Sequence, residues 1–257
     1  MKGYDILNSN NEKLKMMRNE KIPKVLLKMG IPTMIGMMVS ALYNVVDAYF
    51  VGGLGTSQMG AVSITFPIAQ VIIGLGMTFG NGAASYISRL LGEENADKAN
   101  ETASTAVFSS LFVGIVSIAV SLCFLNNILI SLGATKTILP YAREFAVIYI
   151  TGSILNIFNI TMNNIVTSEG MAKLTMTSML LSGVLNIILN PILIYPLGLG
   201  IKGSAISTVI SQAAVSILYI WYMLNKKGCL RLSIHNFRFD STIFAQIFKV
   251  GIPILKI

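Results

Sequence analysis

Asp47 is the residue whose position most demands a chemical explanation. It lies within the apolar stretch "ALYNVVDAYFVGG" (41–53), and the nearest charged residues along the chain are Lys28 and Arg89. A charged carboxylate in apolar surroundings costs free energy, and two processes lower that cost. The carboxylate can take up a proton, or it can bind a cation, with neighbouring Asn and Thr oxygens completing the coordination shell. Both outcomes predict that Asp47 binds a cation, either H+ or a transient Na+. The alternative is a hydrogen-bonded carboxylate that only fixes helix packing.

Polar residues three or four positions apart accompany Asp47, and the same spacing recurs in two later segments. Residues at these spacings share one face of a helix. Because amides and hydroxyls are costly in apolar surroundings, the three faces should turn inward and enclose a polar cavity. They comprise Gly36, Ser40, Tyr43, Asn44 and Asp47; Ser178, Ser182, Asn186 and Asn190; and Ser204, Thr208 and Gln212.

Long runs without charged residues determine the fold class. Only 12% of the residues are charged and 54% are hydrophobic, whereas roughly a quarter are charged in soluble domains. Each run is close to or longer than the roughly 20 residues that a helix needs to cross the hydrocarbon core. We predict an all-α membrane protein with spans at about 30–52, 61–88, 103–130, 140–166, 174–196 and 203–224, and a seventh that begins near Ser241.

The basic residues indicate the orientation of these spans. The net charge is +8, and seven Lys or Arg residues precede the first span, whereas the first, third and fifth connections hold only Lys136, Arg143 and Lys202. Positively charged segments stay in the cytoplasm. We therefore predict a multi-pass protein of the plasma membrane with a cytoplasmic N-terminus. The positive charge is then an orientation signal, so we predict no nucleic-acid partner.

The inventory of reactive side chains argues against an enzyme. The chain has one histidine, His235, in a polar segment, and two cysteines, Cys123 and Cys229, in separate elements. Neither a metal centre nor a nucleophile–base pair can be assembled from these residues. The glycine-rich stretch "GLGMTFGNG" (74–82) falls inside the second span, where glycines suit close helix packing. We predict no catalytic activity, no cofactor and no tightly bound metal.

Prolines occur inside the predicted spans, among them Pro67 and Pro191. Pro67 lies in the second span, and Pro191 directly follows Asn190 in the fifth. Proline removes a backbone hydrogen bond and allows a helix to bend. We interpret both as candidate hinges of a gating movement, with an inert kink as the alternative.

A short motif occurs near both ends of the chain. "KMGIP" (28–32) and "KVGIP" (249–253) share the pattern Lys-x-Gly-Ile-Pro, and each opens a predicted span. Transporters are often built from two repeated halves with the substrate site between them. We therefore expect a basic cytoplasmic N-terminus at 1–28, a six-helix lobe at 29–224, a cytoplasmic inter-lobe linker at 225–241 and the truncated start of a second lobe at 242–257.

Four stretches resemble the multidrug and toxic compound extrusion (MATE) family, of the bacterial multidrug export type. They are "GIPTMIGMMVSALYNVVDAYFVGGLG" (30–55), "GNGAASYISRLLGEENADKAN" (80–100), "SEGMAKLTM" (168–176) and "VLNIILNPILIYPLGLGIKGSAISTVISQ" (184–212). The resemblance implies one lobe of a two-lobe, twelve-helix transporter with a V-shaped cavity. It also implies an N-lobe cation site, onto which Asp47, Asn186 and Thr208 fall.

One position departs from the family pattern. Many members carry Asp four residues after the Asn that corresponds to Asn186, whereas this sequence reads "LNP" with Asn190. The site then keeps one carboxylate, which leaves both H+ and Na+ open as the coupling ion. Asn190 can still coordinate a cation or form hydrogen bonds. We assign cation coupling to Asp47, Asn186, Asn190 and Thr208, and the substrate cavity to Ser40, Tyr43, Asn44, Ser182 and Gln212.

The family implies export of cationic drugs or dyes by H+- or Na+-coupled antiport with alternating access. The expected partners are small-molecule cationic drugs, the lipid bilayer, and a missing C-terminal lobe or a second half. Two alternatives remain. A related flippase would move a lipid-linked precursor, but the uncharged runs within the predicted spans contain no Arg or Lys to hold a pyrophosphate. The other alternative is a truncated lobe that does not transport.

Overall fold

The computed structural model describes residues 22–225, 228 and 230–253, where the chain is helical almost throughout. Most of the predicted N-terminal segment therefore lies outside the described residues, as does the end of the predicted seventh span. The α-helices are α1 (Ile22–Gly52), α2 (Thr56–Gly92), α3 (Ala96–Cys123), α4 (Leu125–Ser131), α5 (Leu139–Ser168), α6 (Ala172–Ile194), α7 (Ile201–Leu224) and α8 (Ser241–Gly251). A short 3-10 helix at Ile234–Asn236 precedes α8.

Six of the helices in the described part of the chain are long and apolar enough to cross a membrane. They are α1, α2, α3, α5, α6 and α7. Each corresponds to one predicted span, which confirms the predicted all-α membrane architecture. The physical reason is that a helix satisfies its backbone hydrogen bonds within the segment, as a hydrocarbon environment requires.

Several helix ends differ from the predicted spans. α3 begins at Ala96 and ends at Cys123, and α4 follows, instead of one span over 103–130. The Asn95 side chain accepts a hydrogen bond from the Lys98 amide (3.2 Å) and caps the helix among charged residues. An uncharged run identifies only the part of a helix that lies in lipid. Helical turns that continue into water carry charged residues, so they are not predicted from the run.

The first two helices are also longer than predicted. α1 begins at Ile22, so its first residues belong to the predicted polar terminus. α2 begins at Thr56, because the turn after α1 occupies only residues 53–55. Gly55 has a φ of 130°, which favours glycine and breaks the helical path there.

The helices pack as a bundle with α1 at one side. α1 packs on α6, α6 on α7, α7 on α5 and α5 on α2, while α3 packs on α2 and α5. Two clusters of buried apolar side chains fill the interior. One joins α2, α3, α5, α7 and α8, and the other joins α2, α4, α5 and α7. The lobe thus has its core around α2, α5 and α7.

α1 contributes little to either cluster. Met34, Met38 and Val45 are each more than 60% exposed on its surface. An apolar surface of this extent is stable against lipid or another apolar protein surface. The inner face of α1 is the one that packs on α6 and carries Asp47.

The chain after α7 is bound to the first turns of α3. The Arg231 amide donates a hydrogen bond to Asn100 Oδ1 (2.7 Å). The Arg238 amide donates to Thr105 Oγ1 (3.1 Å), and its guanidinium pairs with Glu101 (3.4 Å). Side chains of α3 thereby satisfy backbone groups of this extended segment, the predicted inter-lobe linker.

α8 packs on α2 through very close backbone contact. Its apolar face buries Ile243 and Ile247 completely. A Cβ on Gly82 of α2 would come within 3.0 Å of the carbonyl group and Cα of Ile247. The Asp240 side chain caps α8, and the hydrogen bond from the Thr242 amide (2.8 Å) lowers the pKa of its carboxyl. The predicted start of the second lobe thus packs on the first.

We predict that Gly82→Ala releases α8 from α2, because the added methyl group overlaps the backbone of Ile247. Overpacking of this kind costs about 1–3 kcal/mol. The midpoint of thermal unfolding in detergent should fall, and trypsin should cleave faster after Arg238. Gly92→Ala is the matched control, since its Cβ would meet no atom within 4 Å. Equal cleavage rates in the two variants would contradict the predicted role of the close contact.

Candidate cation-coupling site

Three adjacent helices bring the predicted site residues together. Asp47 lies near the end of α1, Asn190 near the end of α6, and Ser204 near the start of α7. A Cβ on Gly203 would lie within 3.0 Å of backbone atoms of Leu193. The absence of a side chain at Gly203 therefore lets α7 approach α6 closely enough for both to reach α1.

Asp47 is held by two hydrogen bonds to the same carboxylate oxygen. The Asn190 amide nitrogen donates to Oδ1, and the Ser204 hydroxyl donates to Oδ1 over 2.7 Å. Asn190 and Ser204 are completely buried, while Asp47 is partly buried. Hydrogen bonds to a charged group are stronger than neutral ones. The carboxylate is therefore fixed in orientation by α6 and α7.

A second polar contact lies one helical turn away. The Asn186 amide nitrogen is 3.2 Å from Thr208 Oγ1 and 3.4 Å from Ser207 Oγ. Thr208 also donates to the Ser204 backbone carbonyl (3.1 Å). The structure thus brings together Asp47 with Asn190, and Asn186 with Thr208, all on the α6–α7 side of α1.

Two amide oxygens at this site are buried without a hydrogen-bond partner among the described residues. They are Oδ1 of Asn186 and Oδ1 of Asn190. Amide and carboxylate oxygens are the ligands that hard cations prefer, and they also bind water or a hydrated proton. The described residues contain no cluster of three or more His, Cys, Asp or Glu that could hold a metal ion. A cation at Asp47 would therefore be held by one carboxylate and neutral oxygens.

The residues predicted to line a substrate cavity differ in their burial and in their contacts. Tyr43 is partly buried and lies within electrostatic range of Asp47. Asn44 is exposed, and its amide donates to the backbone carbonyl of Ser40 on its own helix (2.8 Å). Ser182 is partly buried on α6. Of this set, Tyr43 thus interacts electrostatically with the carboxylate.

Gln212 joins a separate polar cluster between α5 and α7. The Asn159 amide nitrogen donates to Gln212 Oε1 (2.7 Å) and to its backbone carbonyl (2.8 Å). The Ser216 hydroxyl donates to Asn159 Oδ1 (2.9 Å). Gln212 therefore faces the interior of the lobe.

Both predicted hinge prolines lie inside helices. Pro67 is exposed on α2, and Pro191 is partly buried on α6 beside Asn190. Pro191 cannot donate a backbone hydrogen bond one turn before the end of α6. A hinge role for either proline stays a prediction.

Two residues of this network were not among the predicted site residues. Ser204 belonged to the predicted polar face of α7, but its direct bond to Asp47 was not foreseen. Asn159 was not singled out, although it stands with Asn156 and Asn163 at spacings of three and four on α5. That spacing is the signal that would have indicated a fourth polar face.

Comparisons with known proteins assign the chain to a family. The MatE family profile matches residues 32–192, which is more than half of the chain. Multidrug export protein MepA from Staphylococcus saprophyticus is 33% identical over 95% of this chain and 54% of its own length. The protein of the same name from Staphylococcus aureus (strain MSSA476) is 32% identical, with the same coverage.

Solved structures agree with this assignment. The crystal structure of MATE in complex with MaD3S matches with a TM-score of 0.91 and 31% identity, over 95% of this chain and 55% of that chain. The chain spans about half the length of the curated relatives it matches. A family profile over most of the chain and the matching helical fold together show that the chain belongs to the MatE family, whose members are transporters and not enzymes.

Proposed function

We propose that this chain is the N-terminal lobe of a multidrug efflux transporter that exports cationic drugs or dyes across the plasma membrane. Coupling would be by antiport with H+ or Na+. The relatives named as multidrug export proteins support the substrate class. The sequence-based orientation, with a cytoplasmic N-terminus, belongs to the same proposal.

The observation that carries the proposal is the surroundings of Asp47. One carboxylate is fixed by Asn190 and Ser204, and the buried amide oxygens of Asn186 and Asn190 have no hydrogen-bond partner within the described part of the chain. Amide oxygens in this position can coordinate a cation or accept a hydrogen bond from a hydrated one, which a carboxylate that only fixes helix packing does not require. An arriving proton, ion or hydrated ion satisfies them.

Asn190 replaces the second carboxylate that the family pattern predicts. As an amide it donates to Asp47, so it stabilises the single negative charge without adding another. When one cation binds to or leaves this single carboxylate, the net charge of the site changes by one in each transport cycle. We infer that the lobe uses this single site for coupling, with H+ or Na+ as the ion.

An apolar cleft between α5 and α7 suits the aromatic body of a cationic drug. Its volume is about 480 Å³, and it is lined by Val147, Ile148, Thr151, Gly152, Ile154, Leu155 and Val209. Tyr149, on the same stretch of α5, lies within electrostatic range of Tyr43 and Asp47. The cleft would supply apolar contact, and Asp47 the charge that favours a cation.

Alternating access would link the two ligands. If drug binds more tightly to the inward-open state and the cation to the outward-open state, each drives the release of the other. Asp47 would be the group whose cation occupancy differs between the states.

We predict that Asp47→Asn abolishes export, because the amide is nearly isosteric but can neither bind a proton nor hold a cation by charge. The measurement is ethidium accumulation in a host without its own pumps. The native chain should lower accumulation relative to empty vector, and the variant should not. Glu144→Gln is the control, since Glu144 is an exposed carboxylate paired with Lys202 (3.2 Å).

The ethidium assay has three possible results, and each leads to a different conclusion. Full export by the Asp47→Asn variant would contradict the coupling role. Equal accumulation in the native and empty-vector strains would mean that the lobe alone does not transport. Lowered accumulation in the native strain alone would support both the function and the site.

We also predict that Ser204→Ala changes the response to the coupling ion and not to the drug. Loss of a hydrogen bond to a charged group is worth about 1.5–3 kcal/mol, or roughly 10- to 150-fold in an equilibrium constant. In proteoliposomes, the H+ or Na+ concentration for half-maximal ethidium export should shift by at least 10-fold, with the half-maximal ethidium concentration unchanged. Whichever ion shows the shift is the coupling ion.

Ser63→Ala is the matched control for this variant. The Ser63 hydroxyl donates to the Met59 carbonyl of its own helix (3.0 Å) and is exposed on α2. A shift in the ethidium concentration without any shift for either ion would contradict the prediction, because Ser204 would then act on drug binding.

A further inference from the structure

Two cavities lie next to each other on α5, and Val147 lines both. The first has a volume of about 340 Å³ and lies where α3 ends and α4 begins, with Arg143, Asn126 and Asn127 among its lining residues. The second is the apolar cleft between α5 and α7, with a volume of about 480 Å³. A molecule that enters the first cavity can therefore extend along α5 into the second.

One face of α5 connects the two cavities. Arg143, Val147, Thr151 and Leu155 follow one another at spacings of four, so they share one side of the helix. Arg143, Val147 and Thr151 are exposed, and Leu155 is partly buried. These four residues rise about 18 Å along the helix axis, close to the roughly 15 Å that one leaflet contributes to the hydrocarbon core. We call this face the α5 groove.

The two ends of the α5 groove differ in polarity. At one end, the guanidinium of Arg143 and the exposed amides of Asn126 and Asn127 offer N–H donors. At the other end, side chains such as Ile154 and Val209 make the cleft apolar. The groove thus has the polarity of a phospholipid, with a polar head and a hydrocarbon chain.

Arg143 carries a positive charge that no neighbouring carboxylate neutralises. No hydrogen bond or ion pair joins its side chain to another residue in the described part of the chain, whereas the adjacent Glu144 pairs with Lys202 (3.2 Å). A guanidinium binds phosphate through two parallel hydrogen bonds. The polar end of the α5 groove is therefore complementary to an anionic phosphate.

Arg143 also lies at the level where lipid headgroups are found. It is in the second turn of α5, which begins at Leu139, and it shares a cavity with Cys123, the last residue of α3. After Glu144 the helix has no charged residue up to its end at Ser168. The hydrocarbon core therefore begins directly beyond Arg143, and the rest of the groove lies within it.

We propose that the α5 groove binds one anionic phospholipid, with its phosphate at Arg143 and one acyl chain in the apolar cleft. Net negative charge is favoured because the phosphate of a zwitterionic lipid is already neutralised by its own ammonium group. The proposal rests on the proposed function in one respect, since that function assigns the same cleft to the drug. The acyl chain then fills the cleft when no drug is bound, and drug and lipid exclude each other.

The test uses a tryptophan placed in the α5 groove of the full chain. Thr151→Trp is combined with Trp221→Phe, which removes the single native tryptophan. Thr151 is exposed, and its hydroxyl donates to the Val147 carbonyl of its own helix (2.7 Å), so the change leaves contacts between helices in place. The chain is placed in phosphatidylcholine nanodiscs that contain a minor fraction of lipid with brominated acyl chains. Bromine in contact with tryptophan quenches its fluorescence.

Brominated phosphatidylglycerol and brominated phosphatidylcholine are compared at the same fraction. We expect the phosphatidylglycerol to be selected by roughly fivefold, the factor that corresponds to the attraction of about 1 kcal/mol between one arginine and anionic lipid. Arg143→Gln should abolish the preference. Lys136→Gln is the matched control, because Lys136 is an exposed cation shortly before α5 that lines neither cavity. This control should keep the preference.

Equal quenching by the two lipids in the parent chain would overturn the proposal. A preference that persists in Arg143→Gln would also overturn it, because the phosphate would then be bound elsewhere. Native mass spectrometry repeats the comparison without the added tryptophan. The unmodified chain should retain one more phosphatidylglycerol molecule than Arg143→Gln, and equal retention would contradict the proposal.

Glycerol 1-phosphate separates the lipid from its headgroup alone. Excess glycerol 1-phosphate should leave the retained phosphatidylglycerol in place, because the acyl chain adds apolar contact in the cleft. Displacement of the lipid would mean that the cavity at Arg143 binds a soluble phosphate without the chain, and would overturn the proposal. These readouts do not depend on export, so failure of the ethidium assay counts against the proposed function and leaves the lipid site standing.

Discussion

The two hydrogen bonds on Asp47 are the interaction on which the arrangement of α1, α6 and α7 depends. A carboxylate among apolar helices is stable only where its neighbours satisfy it. Asn190 and Ser204 do so from two different helices, and this fixes both helices in register against α1. Gly203 makes the arrangement possible, because α7 could not approach α6 with a side chain at that position. The helix that carries the carboxylate otherwise contributes little to the lobe core.

The sequence predicts the six membrane-spanning helices and the residues that meet near Asp47 for one physical reason. Lipid excludes charge and polar groups, so uncharged runs mark the spans, and spacings of four mark the inward faces. Asn186, Asn190 and Thr208 could be selected in this way. The direct bond from Ser204 and the cluster around Asn159 could not, because helix rotation and approach depend on tertiary packing. Helix ends such as that at Ala96 could not be predicted either, because the helices continue beyond the uncharged runs into water.

The contacts made by the chain after α7 also could not be predicted from the sequence pattern. The repeated Lys-x-Gly-Ile-Pro motif and the polar segment before it suggest a linker and a new lobe. In the structure, side chains of α3 bind the backbone of this segment, and α8 packs closely against Gly82 of α2. A polar composition can reflect hydrogen bonding to a neighbouring helix as well as exposure to water. The contacts therefore join α8 to the six-helix lobe.

The proposed transport cycle depends on the exchange of a cation for a drug at Asp47. The most direct measurement is the number of ions released when ethidium binds to the purified chain, followed with a pH indicator in weak buffer and with a Na+ electrode. The account predicts about one H+ or one Na+ released per ethidium bound by the native chain, and none by Asp47→Asn, since one carboxylate holds one cation. Equal release by the native chain and the variant would contradict it.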